Sequence, residues 1–368
     1  MTQSRSQVMA LVAISMAAMA CQAQDRYTVT DLGMLSGTST VMHKLNSSAH
    51  MAGTTGMRDG GGSRAALWQD TGSGLRSLAV PRETDYSEAT AINNRDESVG
   101  TFNTNNTMRA VIWSSTGVMK ELGTLPGDTS SRAFGINDQG KVVGLSSGPR
   151  GVRSFVWSAR DGMAHVGMPA GTKSSEAHGI NNRGEIVGDF VRGSESHAYL
   201  WTSRGGVTDL GVLSGGNRSR ATAINDAGQV VGSSSGEFGT RSFLWTSSEG
   251  MQPINDLPPT DFSEAIDINA RGQLVGTYES SLGNHAYVWS KKGGYADLNS
   301  VVPQGRGLVL TVAVAINDRG QILALGMSHP TLSVDHNVDL DEQDDLHGVD
   351  VHAFLLTPVG GVPRQPQP

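Results

Sequence analysis

Cysteine is almost missing from this 368-residue chain: Cys21 is the only one. A single thiol excludes an internal disulfide and a thiolate metal cluster. Charge is sparse as well, at 17% of residues, and the balance is acidic, with 35 Asp and Glu against 28 Lys and Arg. A net charge of −7 offers no basic field to a phosphate backbone, so nucleic acid is excluded as a partner. The one long hydrophobic stretch, Val8–Ala20, is 13 residues long and too short to cross a bilayer, so no membrane span is expected. No segment sustains a helical hydrophobic period, which argues against α and α/β folds. What the chain has in excess is glycine, 47 residues, nearly twice the ~7% of an average protein.

The N-terminus reads as an address rather than as structure. Arg5 precedes the run Val8–Ala20, and small residues follow it, as in a secretory signal over residues 1–23. Cleavage after Ala20 leaves Cys21 first and available for a lipid anchor. Cleavage after Ala23 leaves a cysteine-free chain. The expected location is periplasmic or secreted, with anchoring through Cys21 as the alternative.

Aligned on Ile-Asn and its variants, the chain is a repeat. Asn46, Asn93, Asn137, Asn181, Asn225, Asn269 and Asn317 are spaced by 47, 44, 44, 44, 44 and 48 residues. All six tryptophans, Trp68, Trp113, Trp157, Trp201, Trp245 and Trp289, share one phase of that period, and Leu356 holds the seventh place. A period of this size marks a solenoid, a propeller or an array. Each unit reads as four short strands, a to d, built of β-branched and aromatic residues in alternation. Strand a ends at the Asn, as in SRATAIN. Strand b is an apolar run ending in Gly, as in QVVG. Strand c is HAYLW or its like, and strand d is the DLG segment. Between a and b, Asn-Asp/Asn-x-Gly predicts a type I turn with a bulge. Repeats 1 and 2 carry Ala49 and Asp96 where that turn wants Gly, and so are expected to be the least regular.

The ends of the repeat suggest a ring. The chain opens on a lone strand d, Tyr27–Gly33, and closes on a-b-c, so its first strand completes its last unit. That offset suits a closed structure, and four strands per ~44 residues is propeller-blade size. The expected fold is an all-β, seven-bladed propeller over residues 24–359, followed by a Pro-rich tail over 360–368. The motifs HAYLW, HAYVW and HAFLL, together with DLG, AIN and GQVVG, resemble the HAF-type extracellular repeat across nearly all of the chain. Arg64, Arg109, Arg153 and Arg241 stand where that family has His. The resemblance implies export and a propeller-like fold; it carries over no catalytic residue.

Residues repeated in every unit are expected to hold the fold, so candidates for function are the exceptions. Five residues before each Asn stand Val41, Glu88, Arg132, Glu176, Arg220, Glu264 and Val312. Five of them alternate in sign and are expected to ring one mouth of an axial funnel, adjacent charges pairing. His43, Lys44, His178 and Asp267 are the unrepeated polar groups further along strand a. No nucleophile with its base, phosphate loop or His-x-x-x-His pair is present. Between strands b and c of repeat 7 lies an acidic insertion, residues 328–350, expected to hang beside the funnel. It contains seven acids and no Lys or Arg, so the rest of the chain is balanced at 28 against 28. Asp335, Asn337, Asp339 and Asp341 resemble the start of a calcium loop, but Leu340 and Leu346 stand where such loops want Gly and Glu. No other cofactor is expected. Three functions fit: a binding or interaction module for an extracellular protein, cell-surface protein or glycan; a polysaccharide hydrolase or lyase; and a structural envelope protein.

Overall fold

The computed structural model describes residues 26–32, 40–56, 62–69, 74–237, 239–303, 307–328 and 351–360. The signal segment with Cys21, the insertion with Asp335, Asn337, Asp339 and Asp341, and the tail beyond Gly360 lie outside the described residues. The chain is all-β: 28 strands are formed and, among the described residues, only Leu298–Ser300 makes a helical turn, of 3-10 type. No helix there is long and apolar enough to cross a membrane.

The strands form five four-stranded sheets and one of eight. In repeat 4, Thr172–Ile180, Ile186–Arg192, Glu195–Thr202 and Gly206–Gly211 pair in chain order, each antiparallel to the next. Repeat 5 does the same with Gly216–Ile224, Val230–Gly236, Gly239–Thr246 and Gly250–Pro253. One parallel bridge, Ser196 to Arg218, joins these two sets into the eight-stranded sheet. The last sheet joins the two ends of the chain: Tyr27–Asp31 pairs antiparallel with Val351–Pro358 beside Ile322–Ser328 and Leu308–Ile316.

Each repeated motif does a definable job. The ring asparagine accepts two backbone N–H bonds through its Oδ1, as Asn225 does from Ala227 and Gln229, and this sets the a–b turn. Its Nδ2 donates to the carbonyl of the next ring asparagine at 3.0–3.1 Å, from Asn46 round to Asn317. Asn317 then donates to the Asn46 carbonyl at 3.0 Å, so the cycle returns to its start. Turn chemistry alone, the sequence reading of these residues, misses that second bond. Ala49 and Asp96 take the left-handed φ of the turn glycines, at 62° and 58°, so repeats 1 and 2 keep the turn despite lacking Gly.

Serines near the start of strand a tie one unit to the one before. The Oγ atoms of Ser87, Ser131, Ser175, Ser219 and Ser263 accept a backbone N–H from the preceding strand c at 2.8–3.0 Å. The tryptophans pack between units, as their phase implies. Trp113 is fully buried with Leu67 and Ala65 of repeat 1 and Ala89 and Phe102 of repeat 2. Trp68 packs with Leu355 and Ala315, joining repeats 7 and 1. Seven such clusters mix residues of successive units, and burying each anchor contributes a few kcal/mol. The His that opens strand c pairs with the Asp of the strand-d Asp-Leu step: His197 with Asp209, His285 with Asp297, His352 with Asp31. The last of these pairs bridges the two chain ends.

Candidate axial site

The a strands carry the variable polar groups, and a bulge in each controls where those groups point. In repeat 5, Ala221 and Ala223 of strand a face Gly232 and Val231, so Thr222 is the extra residue. In repeat 5 the bulge brings the strand-a backbone close against the facing Gly232. A Cβ on Gly232 would lie 1.9 Å from the Arg220 carbonyl oxygen. Repeats 2, 3, 4 and 6 share the shift, so Glu88, Arg132, Glu176, Arg220 and Glu264 occupy equivalent sites.

Two cavities meet along these residues. One of about 500 Å³ is ringed by the seven asparagines and lined by His43, Lys44, Thr90, Phe134, His178 and Asp267. The other, about 550 Å³, lies on the side of the b–c hairpins and is lined by Asp189, Glu195, Arg218, Ser233, Ser235 and Phe262. Arg220 and Glu264 line both.

The expected alternating ring of ion pairs is only partly formed. Glu88 and Arg132 pair at 2.7 Å. Burial opposes the charge on Arg132, but its bond to Glu88, with Tyr86 and Glu176 nearby, raises its pKa above the ordinary value. Burial and the same glutamate push the Tyr86 phenol up. Arg220, by contrast, does not bond to the glutamate on either side. Its Nε donates to His178 Nε2 at 3.1 Å and lies 3.8 Å from Asp189 Oδ1. The physical reason is position: Asp189 is the cross-strand partner of Glu176, and it offers an acceptor nearer to Arg220. Glu176 and Glu264 make no direct ion pair among the described residues. Burial raises the Glu264 pKa, against the pull of Arg220 and His178.

His178 Nε2 also lies 2.8 Å from Asp189 Oδ1. One ring nitrogen carries either a hydrogen or a lone pair, so Nε2 serves Asp189 or Arg220 but not both at once. Proton position and Arg220 orientation are therefore linked. The Phe134 ring stands 5.8 Å from the His178 ring and 5.6 Å from the Arg132 guanidinium. On the asparagine side, Lys44 reaches past repeat 7 to Asp267 at 2.5 Å, and Asp267 Oδ2 accepts the Ile316 N–H at 3.0 Å. His43 sits 3.3 Å from Thr54, and burial lowers its pKa although Glu88 pulls it up.

Of the nine candidate residues, His43, Lys44, His178, Arg220, Glu264 and Asp267 line the axial cavity, and three direct contacts form among the nine: Glu88 with Arg132, Lys44 with Asp267, and His178 with Arg220. Sequence reasoning missed Asp189, Tyr86 and Arg218. Asp189 was detectable, since the equivalent strand-b places hold Thr54, Thr101, Leu145, Ser233, Thr277 and Leu325. Among the described residues no group of three or more His, Cys, Asp or Glu is disposed to hold a metal ion.

No protein-family model and no curated protein matches the chain. Solved structures do. A virginiamycin B lyase from Staphylococcus aureus aligns with TM-score 0.53 at 12% identity, over 90% of this chain and 100% of that one. The β-propeller domain of the Trilobed protease from Pyrococcus furiosus gives 0.51 at 11%, over 71% and 84%. The fold is propeller-like. An oligogalacturonate lyase in complex with manganese also aligns, at 0.54 and 12%, over 90% and 93%. At such identities the likeness speaks for architecture alone.

Proposed function

We propose that the chain is an exported, seven-bladed propeller of the HAF-repeat kind, acting as a binding module that receives a polar ligand in its axial funnel. The eight-stranded sheet is then two blades joined by one bridge, and the Asn317–Asn46 bond closes the ring. The observation that carries the reading is the uneven use of equivalent positions. Asparagine, serine and tryptophan recur from unit to unit and hold the fold. The axial places hold Val312 and Val314 in repeat 7 but Glu176, His178, Arg220 and Glu264 in repeats 4 and 5 and the start of 6. The scaffold has no use for that asymmetry, and a ligand does. Calcium at Asp335, Asn337, Asp339 and Asp341, and a lipid at Cys21, belong to the same proposal as separate attachments.

One observation favours a second reading, cleavage of a polysaccharide. His178 is held by Asp189 beside Arg220, and Glu264 has a raised pKa, so a base, a cation and an acid share one wall. Lyases among the structural neighbours agree with it only at the level of fold. A glycan array run with reducing-end and unsaturated-product assays on the purified protein tests both readings. Binding that Arg220→Ala and Glu264→Ala each weaken supports the module, and hits indifferent to both reject it. New product that His178→Ala abolishes moves the chain to the enzymes.

A further inference from the structure

We infer that the cavity on the b–c side of repeats 4 to 6 is a subsite for a neutral oligosaccharide. The inference rests on the funnel reading above and names its ligand. Strand period places the walls. Arg218 and Arg220 sit two apart on strand a of repeat 5, and their cross-strand partners are Ser235 and Ser233. Residues two apart share a face, so these four side chains make one patch of two guanidiniums and two hydroxyls. Asp189 and Glu195 of repeat 4 flank it on one side, and Glu264 and Phe262 of repeat 6 on the other.

Chemistry selects the ligand. Three carboxylates, Asp189, Glu195 and Glu264, stand against two guanidiniums, so the lining favours neither a strong anion nor a strong cation. What it offers is planar donors and acceptors side by side. A vicinal diol both donates and accepts, and matches a carboxylate or guanidinium in two bonds at once. Hydroxyls extend the pattern: Ser196 bonds Asp189, and Ser235 and Thr240 bond each other at 2.9 Å, leaving one hydrogen of that pair to give. Partly exposed Phe262 adds an apolar face for the C–H side of a sugar ring. A volume near 550 Å³ accommodates a few pyranose units.

The cavity also meets the axis through shared Arg220 and Glu264. A chain seated here therefore approaches His178, which Arg220 already touches. Arg220 has two stations, His178 and the ligand. Occupation of the cavity is expected to draw its guanidinium away from Nε2 and leave that nitrogen to Asp189.

Calorimetric titration of the full chain with four hexasaccharides decides the point: those of cellulose and chitin, both neutral, that of galacturonan, anionic, and that of chitosan, cationic. A neutral hexamer is expected to bind at micromolar to millimolar affinity. Ser233→Tyr, which fills the patch, weakens it at least ~10-fold, while Lys291→Ala on the exposed outer surface leaves it unchanged. Should Ser233→Tyr fail to fold by circular dichroism, Arg218→Ala at its exposed position takes its place, with a loss of several-fold. Binding of a charged hexamer alone overturns the neutral assignment. A neutral hexamer weakened by Lys44→Ala but not by Ser233→Tyr or Arg218→Ala places the ligand on the asparagine side; the subsite then falls and the funnel stands. No heat with any of the four overturns the subsite, and if the glycan array is flat as well, the funnel reading loses its saccharide form.

Discussion

At the scale of single residues, the molecule separates groups that hold the repeat together from groups that break its regularity. Asn225 makes two bonds within its own turn, one to Gln229 Oε1 and one to the next unit, and no substitution reproduces that set. Glu264 is the contrary case. Burial raises its pKa above 4.5, with only distant help from Arg220 and His178, so ionising it costs the folded state more than the unfolded chain. The folded state then holds more protons between 4.5 and the raised value, and stability falls as pH rises through that window. Glu264→Gln removes the charge. Its melting temperature is expected to exceed that of the parent at pH 7, with the gap closing as the pH is taken below about 4. A gap that persists in acid would mean that Gln gains by packing rather than by neutrality. A stabilising substitution here would fit a residue kept for its chemistry, since strained or desolvated groups concentrate at functional sites.

At the scale of the element, the bulged hairpin of strands a and b sets where the variable polar side chains of strand a stand. In repeat 5 the extra residue Thr222 shifts the register between Ala221 and Ala223, and the facing Gly232 lets the two backbones close up. Gly232→Ala is expected to lower stability by about 1–3 kcal/mol, as for overpacking of a close-fitted interior. The methyl has the Arg220 carbonyl in its way, not a flexible side chain that can move aside. Urea unfolding checks the value, and a midpoint equal to the parent's would show that the bulge relaxes at no cost. The displaced carbonyl belongs to Arg220, so the same change should also disturb ligand binding. Gly148, near Asp128, is governed by a side-chain contact as well as by backbone and belongs to a separate case.

At the scale of the whole molecule, the last sheet has strands from both ends of the chain. Tyr27 packs in a cluster with Leu310, Phe354 and Leu356, and Asp31 meets His352 at 3.0 Å, so the first strand contributes both apolar burial and a polar contact. A chain starting at Ser36 is expected to melt several degrees below one starting at Gln24, and over a broader range, because the sheet it opens is the one that joins repeat 7 to repeat 1. Equal melting temperatures would mean that the first strand does not close the structure. In an open array the loss of one end strand would instead stay local, since each unit there leans only on its neighbours.

Period and phase were legible in the sequence because they are local and redundant. Seven asparagines, six tryptophans and a recurrent Gly at fixed intervals determined strand, turn and inter-unit packing before any contact was known. The axial candidates were legible for the same reason, as departures from a rule stated many times. The tertiary structure decided which departures meet. Lys44 and Asp267 are 223 residues apart and touch because the fold brings repeat 1 beside repeat 6. The sign alternation from Glu88 to Glu264 suggested a chain of pairs, yet Arg220 chose His178 and Asp189. That choice depends on a strand-b residue placed across a sheet and on angles between neighbouring sheets. Neither is written in the spacing of one strand. A repeat records what each unit does for the next, whereas the contacts among Lys44, Asp267, His178 and Arg220 draw on several units at once, and only the folded chain sets those distances.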